Sequence, residues 1–461
     1  MKIKRYFGDR QFYRSMLVIA IPIMIQNGIT NFVSLLDNIM VGQMGTSQMS
    51  SVSIVNQLIF VYNLCIFGGL SGAGIFSAQY VGKGDMDGLR HTMRIKLWIG
   101  VLITTLGLLI FHFEGSPLIN LYLKGQADAG NAAETLGYGN EYLTVMLTGL
   151  VPFCISQIYA STLRETGETM LPMKAGVIAV FVNLFFNYIL IFGHFGAPAL
   201  GVTGAAIATV ISRFVECFIV VCWTHRHQEK NPYIVGLYRS FYIPADLIKN
   251  VIIKGTPLLI NETLWSAAMA FLLQCYSIRG LSVIAAMNIN STLQNIFNIV
   301  FISMGNTVSI ILGQQLGSGK METARISARW MIVFSTLASV GTGLLMTAFC
   351  QVFPMFFNTS REVRSLAGEL ILANALTMPL FAFTNASYFT LRSGGKTVIT
   401  FLFDSFYVWL VNIPLAYCLS HFTALPVVLV YLIVQGSEII KCTIGGIMVK
   451  KGIWLNNIVG D

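Results

Sequence analysis

Long apolar runs recur along the chain from Met16 to Val449, and short polar segments separate them. An α-helix rises about 1.5 Å per residue, so roughly 20 apolar residues cross the about 30 Å of hydrocarbon in a bilayer. Twelve runs reach or approach that length, and they begin near residues 15, 51, 97, 142, 173, 203, 255, 283, 331, 370, 398 and 425. The pattern predicts an all-α integral membrane protein with twelve transmembrane helices.

Composition and charge placement support this class. Hydrophobic residues make up 55% of the chain and charged residues 11%, against about 25% charged residues in soluble domains. Twenty-four of the 29 lysines and arginines lie toward one side, at the termini, on alternate loops or near the adjoining span ends, and the positive-inside rule places that side in the cytoplasm. Topology and lipid headgroups explain the net charge of +9, so no nucleic-acid partner is predicted. We expect a monomeric, multi-pass protein of the plasma (inner) membrane.

The cysteines and histidines give no indication of a catalytic or metal centre. All eight cysteines lie inside predicted spans without a C-x-x-C pair, and the six histidines are scattered over loops and span ends. Buried cysteines of this kind pack as small apolar side chains. We therefore expect no disulfide, no structural metal ion, no cofactor and no enzymatic activity.

An internal repeat divides the chain into two similar halves. A shift of 235 residues superposes Pro22 on Pro257 and Gln79-x-x-Gly82-x-Gly84 on Gln314-x-x-Gly317-x-Gly319, and a shift of 228 later superposes Leu163-Arg164-x-x-Gly167 on Leu391-Arg392-x-x-Gly395. Each copy has six spans, an even number, so both copies enter and leave on the same face of the membrane. We predict two pseudo-symmetric six-helix bundles around a central cavity, with an N-lobe over residues 1–224, a cytoplasmic linker over 225–254 and a C-lobe over 255–461.

Two polar stripes lie at corresponding positions of the two halves. The second span carries Ser53, Asn56 and Asn63, and the eighth carries Asn288, Ser291, Asn295 and Asn298 at helical spacing. An amide that faces lipid loses its hydrogen bonds, so each stripe must face protein or water. We interpret both as the lining of a substrate cavity; the alternative is hydrogen bonding between helices within a bundle.

Five acids lie inside predicted spans. Glu216 and Glu438 each have a basic residue three positions away on the same helix, and we interpret them as members of local ion pairs. Asp37, Glu262 and Asp404 have no such neighbour. A charged side chain in hydrocarbon costs roughly 3 kcal/mol on insertion scales, so each of these acids is a candidate functional residue.

Asp37 is the leading candidate for a cation-coupling group. It follows Arg14 by 23 residues, which places it in the outer half of the first bundle. Asn183 and Asn187 lie at i, i+4 on one face of the fifth span and are its candidate partners. The alternatives are a protonated structural carboxyl at Asp37 and amides that only hold helices together.

Glu262 and Asp404 are candidates for attracting a cationic substrate. Each follows the last lysine of its span by eight residues, about 12 Å into the membrane, so the two acids are predicted to share one region. Trp265 lies three residues after Glu262 on the same face and is a candidate for cation–π contact with a ligand. The alternatives are structural carboxyls and a tryptophan that serves packing.

Several segments together resemble one transporter family. They are LLDNIMVGQMG in the first span, the Gln79-Gly82-Gly84 turn with its repeat, LRETGETMLPM, NLFFNYILIFGHFGAPALGVTGAAIATVISR and LRSGGKT. In order and spacing they are similar to the multidrug and toxic compound extrusion (MATE) transporters. The resemblance implies a twelve-helix, two-lobed protein that exports organic cations and drugs against an inward flow of protons or sodium ions.

The resemblance also implies roles for individual residues. Asp37 corresponds to the family's first-helix acid and Asn183 to its fifth-helix asparagine, both associated with cation binding, so these two residues form a possible sodium site. Asn187 stands where some prokaryotic members have an aspartate. Glu262 lies about one turn before the glutamate of another branch, whose tenth-helix acid is absent around Phe381, so no sodium site is expected in the C-lobe.

The sequence thus predicts a cation-coupled antiporter with Asp37 as the principal coupling group. We favour protons over sodium ions, since a single carboxylate among amides is neutralised by one proton, whereas sodium requires several oxygen ligands. The alternatives are a flippase for lipid-linked saccharides, which needs a basic cavity, and a membrane receptor or enzyme that transports nothing.

Overall fold

The computed structural model describes residues 7–123, 129–357 and 359–460, and within these ranges the chain is almost entirely helical and contains no β-strand. The α-helices in these ranges are α1 (Arg10–Gly42), α2 (Thr46–Lys83), α3 (Met86–Leu123), α4 (Ala129–Thr148), α5 (Leu150–Thr166), α6 (Met170–Phe192), α7 (Gly201–Arg226), α8 (Ala245–Ser277), α9 (Leu281–Gly317), α10 (Met321–Phe349), α11 (Arg361–Ser393), α12 (Thr397–Phe401), α13 (Ile413–Phe422), α14 (Val427–Gly436) and α15 (Glu438–Lys451).

The number of helices that are able to cross a membrane agrees with the apolar pattern. In the described ranges, eleven helical segments are long and apolar enough to span, and the bent pair α4 and α5 makes a twelfth. Each of the twelve predicted runs falls within one of these segments. The all-α, twelve-span class predicted from the sequence is therefore confirmed.

Two spans depart from a regular helix in ways that hydropathy does not predict. The fourth span bends by 47° between α4 and α5, where Gly149 separates the two helices. The Arg213 guanidinium on α7 donates a hydrogen bond to the Gly149 carbonyl at 3.3 Å. The eleventh span is π-helical over Leu402–Phe406 and Val408–Asn412, between α12 and α13. Such wide turns are rare and often lie at functional sites.

Close contacts divide the chain into two compact units. The first, here called the N-terminal unit, comprises Ile25–Ser77 and Met86–Lys249. The second, the C-terminal unit, comprises Met1–Met24, Ala78–Asp85 and Asn250–Asp461. Helix α1 therefore contributes to both units, and its division follows Pro22 by two residues. The sequence analysis placed the lobe boundaries at residues 224 and 254. Whether the chain moves as two lobes divided at these residues remains a prediction.

The linker after α7 is held against the N-terminal unit by an arginine of α3. The Arg94 guanidinium donates hydrogen bonds to the carbonyls of Leu237 at 2.9 Å, Gly236 at 2.9 Å and Tyr242 at 3.0 Å. Arg90, one turn earlier, donates to the Tyr233 carbonyl at 3.1 Å. The early part of the predicted linker is thus a fixed segment of this unit.

In the C-terminal unit, the end of α2 packs against the end of α9 through the repeated glycines. A Cβ atom on Gly82 would lie 1.9 Å from the Gln314 carbonyl oxygen, and one on Gly317 would lie 1.9 Å from the Gln79 carbonyl oxygen. Neither position has room for a side chain. The two copies of the Gln-x-x-Gly motif therefore contact each other reciprocally, backbone against backbone.

The C-terminal tail covers this contact. The Gln79 side chain donates hydrogen bonds to the carbonyls of Ser393 at 2.9 Å and Asn456 at 3.2 Å, and it accepts one from the Ile458 N–H at 2.8 Å. Trp454 in the same tail is fully buried. The tail is therefore an integral part of the C-terminal unit.

Candidate functional site

Asp37 lies near the end of α1 and is contacted by an amide of α6. The Asn187 side chain donates a hydrogen bond from Nδ2 to Asp37 Oδ1 at 2.6 Å. Asn187 itself is only 1% exposed. Among the described residues, no lysine or arginine forms an ion pair with Asp37. A buried amide therefore stabilises this carboxylate without neutralising its charge.

The hydrogen bonds continue from Asn187 to α7. Asn187 Nδ2 also donates to Asn183 Oδ1 at 3.1 Å, and Asn183 Nδ2 donates to Thr209 Oγ1 at 3.3 Å. The i, i+4 spacing places both amides on one face of α6, and that face packs on α1 and α7. The structure thus brings together Asp37, Asn183 and Asn187, the three residues that the sequence grouped as a coupling site.

One polar atom of this network has no partner. Asn187 Oδ1 is buried and accepts no hydrogen bond from any described residue. A buried amide oxygen without a partner is costly, and its place is usually explained by a ligand, an ion or a second state of the site. This oxygen is available to accept a hydrogen bond or to bind a cation.

Tyr142 of α4 connects the network to the polar stripe of α2. Its hydroxyl donates a hydrogen bond to Asn56 Oδ1 at 3.3 Å and lies within hydrogen-bonding reach of Thr209. The ring is 4% exposed. Sequence reasoning missed both Tyr142 and Thr209, because a neutral polar residue in an apolar run carries no charge signal. Hydrogen bonds thus run from Asp37 through Asn187 and Asn183 to Thr209, and the Tyr142 hydroxyl, which bonds to Asn56, lies beside Thr209.

The stripe residues of each unit lie on or near that unit's surface. On α2, Asn56 is exposed and Asn63 is half-buried. Asn63 Oδ1 accepts no hydrogen bond from the described residues. On α9, the stripe members Asn288 and Asn295 are exposed and Asn298 is half-buried. Exposure of these amides fits a water-filled cavity better than hydrogen bonding inside a bundle, and the cavity role stays a prediction.

Asp404 has partners that the sequence did not predict. The Lys441 ammonium group on α15 lies 3.3 Å from Asp404 Oδ1, and Asn261 Nδ2 on α8 donates to Asp404 Oδ2 at 3.1 Å. The local pair expected between Glu438 and Lys441 is also present, at 3.4 Å. Lys441 therefore serves two carboxylates, one on its own helix and one on the eleventh span.

Glu262 and Asp404 lie in the same region of the C-terminal unit. Glu262 directly follows Asn261, which binds Asp404, and the charges of Asp404 and Arg392 both act on it. Trp265 is 37% exposed on the same helix. The structure places these acids in one region, with Lys441 paired to Asp404, and their role toward a substrate remains a prediction.

The oxygen donors around Asp37 fit a small hard cation or a proton. Among the described residues, no group of three or more His, Cys, Asp or Glu side chains is placed to hold a metal ion. The Asp37 site instead offers one carboxylate and the side-chain amide oxygens of Asn183 and Asn187. Oxygen ligands of this kind suit hard cations such as sodium, and the carboxylate also accepts a proton.

A known family accounts for this arrangement. The MatE family model matches residues 22–189 and 258–418, which together are more than half of the chain. The chain belongs to the MATE family. The two matched segments correspond to the two halves of the internal repeat, so the resemblance inferred from the sequence motifs is confirmed.

Relatives of known name agree with the MATE assignment. The chain is 22% identical over 452 residues to the probable multidrug resistance protein NorM of Thermotoga maritima, covering 96% of this chain and 93% of that protein. It is 24% identical over 412 residues to the multidrug resistance protein MdtK of Pectobacterium atrosepticum, covering 88% of this chain and 87% of the relative.

Solved structures share the MATE fold. A MOP superfamily transporter from Pyrococcus furiosus superposes with a TM-score of 0.83 at 19% identity, over 98% of each chain. The Vibrio cholerae MATE transporter VcmN in its bent form superposes with a TM-score of 0.84 at 16% identity, over 96% of this chain and 97% of that one. The protein is therefore a multi-pass membrane transporter of the multidrug-efflux type and not an enzyme.

Proposed function

We propose that this protein is a cation-coupled antiporter that exports amphiphilic, often cationic small molecules in exchange for protons or sodium ions. It would lie in the plasma (inner) membrane with both termini in the cytoplasm, as the distribution of basic residues suggests. The observation that carries the proposal is the Asp37 network. It is a carboxylate without a basic partner among the described residues, and its hydrogen bonds reach Thr209, beside the Tyr142 hydroxyl that bonds to Asn56 of the exposed polar stripe.

A proton on Asp37 would change the direction of hydrogen bonding in this network. The ionised carboxylate only accepts, and it accepts from Asn187 Nδ2. A protonated carboxyl group has an O–H to donate, and the side-chain oxygen of its neighbour Asn187 is an acceptor without a partner among the described residues. Protonation would therefore satisfy the buried oxygen and weaken the present bond between Asp37 and Asn187.

The change would pass along the chain of side chains. Asn187 Nδ2 also donates to Asn183, Asn183 donates to Thr209, and the Tyr142 hydroxyl, which bonds to Asn56, lies beside Thr209. Reorienting the first amide alters the partners of the next, because each amide has fixed donor and acceptor ends. An ion or proton with different affinities for the two arrangements shifts the balance between them, which is the requirement for coupling.

We favour the proton as the coupling ion and keep sodium as the alternative. The site has one carboxylate, whereas the family members mentioned above with an aspartate at the position of Asn187 have two. A single carboxylate is neutralised fully by one proton. Sodium would need the side-chain oxygens of Asn183 and Asn187 as ligands. Asn183 Oδ1 already accepts a hydrogen bond, so it would have to give up that bond to bind sodium.

The substrate is an amphiphilic organic cation. The stripe amides Asn56, Asn63, Asn288, Asn295 and Asn298 would line the cavity and hydrogen-bond to its polar groups. In the C-terminal unit, Glu262 and Asp404 would orient its positive charge, and Trp265 would contact it through its ring. The names of relatives such as NorM and MdtK support a broad range of drugs.

Transport by the purified protein in vesicles tests this function. A fluorescent organic cation is followed while a pH gradient, a sodium gradient or neither is imposed across the membrane. The proposal expects substrate movement against the imposed ion flow and none without a gradient. Movement of a lipid-linked saccharide, with no movement of organic cations under any gradient, would establish the flippase alternative instead.

A further inference from the structure

The Lys441 ammonium group occupies a site built like a cation site. It lies 3.3 Å from Asp404 Oδ1 and 3.4 Å from Glu438 Oε2. The rings of Phe403 and Tyr407 each lie 5.6 Å away, within the range of cation–π attraction. Two carboxylates and two aromatic faces thus surround one positive charge, and the lysine is only 5% exposed.

The other side of Asp404 is fixed to α8. Asn261 Nδ2 donates to Asp404 Oδ2 at 3.1 Å, and Asn261 Oδ1 accepts from the Ser405 N–H at 3.2 Å. The π-helical turn places Asp404 and Ser405 so that one asparagine bonds to both. Asp404 is therefore held in position toward Lys441 and is not free to turn away from it.

The repeat shows that this site is specific to the second half. Under the shift of 228 residues, Asp404 corresponds to Gly176 and Glu438 to Val210, so the first half has neither carboxylate. Lys441 corresponds to Arg213, which donates to the Gly149 carbonyl. Within the part of the chain that the structure describes, Arg213 forms no ion pair, so the local pair expected with Glu216 is not present. Asp37 thus has no base among the described residues, whereas Asp404 and Glu438 share Lys441.

We propose that Lys441 is a built-in counter-ion that permanently occupies the cation position of the second half. The Lys441 ammonium group offsets the charges of Asp404 and Glu438 from within the chain, so these two acids take up no inorganic cation during transport. Lys441 is then a specificity-determining residue, because it removes Asp404 and Glu438 from ion coupling. This deepens the proposed function and rests on it for the transport consequence, whereas the filled site itself is independent of transport.

The proposal predicts that removing the lysine creates a cation requirement. In Lys441→Ala, two carboxylates face the space that the ammonium group left. Charges buried in this way without a partner are strongly destabilising. A free cation that enters the space should restore stability by mass action, because it binds the folded state only. Propylammonium reproduces the deleted part of the lysine side chain. Sodium tests whether an inorganic cation is able to bind in the same space.

The experiment measures the thermal unfolding temperature of the purified full-length protein at constant ionic strength. Propylammonium or sodium chloride replaces N-methylglucamine chloride, whose cation is too large to enter. All variants carry Asp37→Asn, so that any cation bound at Asp37 does not contribute. The matched control combines Lys441→Ala with Asp404→Asn and Glu438→Gln, which deletes the base and both acids together.

The expected result is a rise of a few degrees for Lys441→Ala in propylammonium or sodium, with no rise for the parent or the triple variant. Lys441→Gln, which keeps most of the side-chain volume, is measured in parallel in case the alanine variant is not recovered. Equal unfolding temperatures in all three salts for both lysine variants would overturn the proposal, as would an equal rise in the triple variant. A cation-dependent rise, together with a wild-type protein that keeps Asp37 and transports nothing, would leave the filled site standing and remove the proposed function.

Discussion

Asp37 and Asp404 are both intramembrane aspartates, but their neighbours give them different chemistry. Asp37 receives one hydrogen bond from Asn187, a neutral amide, whereas Asp404 lies against the ammonium group of Lys441. A neutral partner leaves the negative charge available to a proton or a cation, and a basic partner does not. At the scale of single residues, this difference is the basis for assigning coupling to the first half.

Asn187→Asp is predicted to make transport respond to sodium. The new carboxylate would lie where the amide now approaches Asp37 at 2.6 Å. Two carboxylates so close do not both remain charged unless a cation lies between them. We expect sodium to stimulate export several-fold more in this variant than in the parent, measured in vesicles at fixed pH. The double variant Asp37→Asn with Asn187→Asp again has a single acid and should lose the added stimulation by sodium. If Asn187→Asp responds to sodium no more than the parent does, the proposed site geometry is contradicted.

Tyr142→Phe is predicted to slow transport while leaving the fold intact. The change keeps the buried ring and deletes the hydroxyl that bonds to Asn56 and lies beside Thr209 of the Asp37 network. One hydrogen bond is worth about 1 kcal/mol, which corresponds to a roughly five-fold loss of rate if it acts in coupling. Tyr62→Phe is the matched control, because its buried hydroxyl bonds to Thr104 and the Leu150 carbonyl, outside the network. Equal losses in the two variants would remove Tyr142 from the coupling path.

Among the elements, hydropathy located every span but not the irregularities inside them. A run of apolar residues looks the same whether its helix is straight or bent, so the 47° bend at Gly149 was not predicted. The π-helical turns around Asp404 were missed for a related reason. They depend on contacts with neighbouring helices, such as the bond from Ser405 to Asn261, and not on the local sequence.

Gly317→Ala is predicted to destabilise the C-terminal unit. The added methyl group would lie 1.9 Å from the Gln79 carbonyl oxygen, so the ends of α2 and α9 must separate. Overpacking of this kind costs roughly 1–3 kcal/mol. Gly341→Ala in α10 is the control, since its methyl group would have no atom within 4 Å. Thermal unfolding in detergent should show a lower midpoint for the first variant only, and equal midpoints would mean that the glycine contact is unimportant.

Pro22→Ala is predicted to impair export without preventing membrane insertion. Proline lacks an N–H for the preceding turn and so loosens α1 just before the position where the helix passes from one unit to the other. Alanine restores a stiffer helix and should hinder bending that accompanies a change at Asp37. Pro257→Ala in α8 is the control, because that helix lacks an acid at the position of Asp37 and has Leu272 there. Export and expression level are measured together; equal export by the Pro22 variant and the parent argues against coupling through bending.

For the whole molecule, the internal repeat and the all-α, twelve-span class could be predicted from the sequence. The residues that surround Asp37 and Asp404 could be predicted only in part. Asn183 and Asn187 were grouped with Asp37 because helical spacing and the family resemblance agreed. Thr209 and Tyr142 escaped notice because they are neutral residues in apolar surroundings. The partner of Asp404 is Lys441, on another helix, and pairing between helices depends on how they pack. Spacing along one helix reveals only local pairs such as Glu438 with Lys441.

The most direct test of the central claim is gradient-driven export by Asp37→Asn in reconstituted vesicles. Glu141→Gln is measured beside it, because Glu141 is an exposed acid on α4 next to Tyr142 and its loss leaves the network intact. Asparagine is nearly the same size as aspartate but neither binds nor releases a proton. The account predicts that Asp37→Asn loses export driven by a pH or sodium gradient, while Glu141→Gln keeps the rate of the parent. Export by Asp37→Asn that still follows the imposed gradient at the parental rate would contradict it.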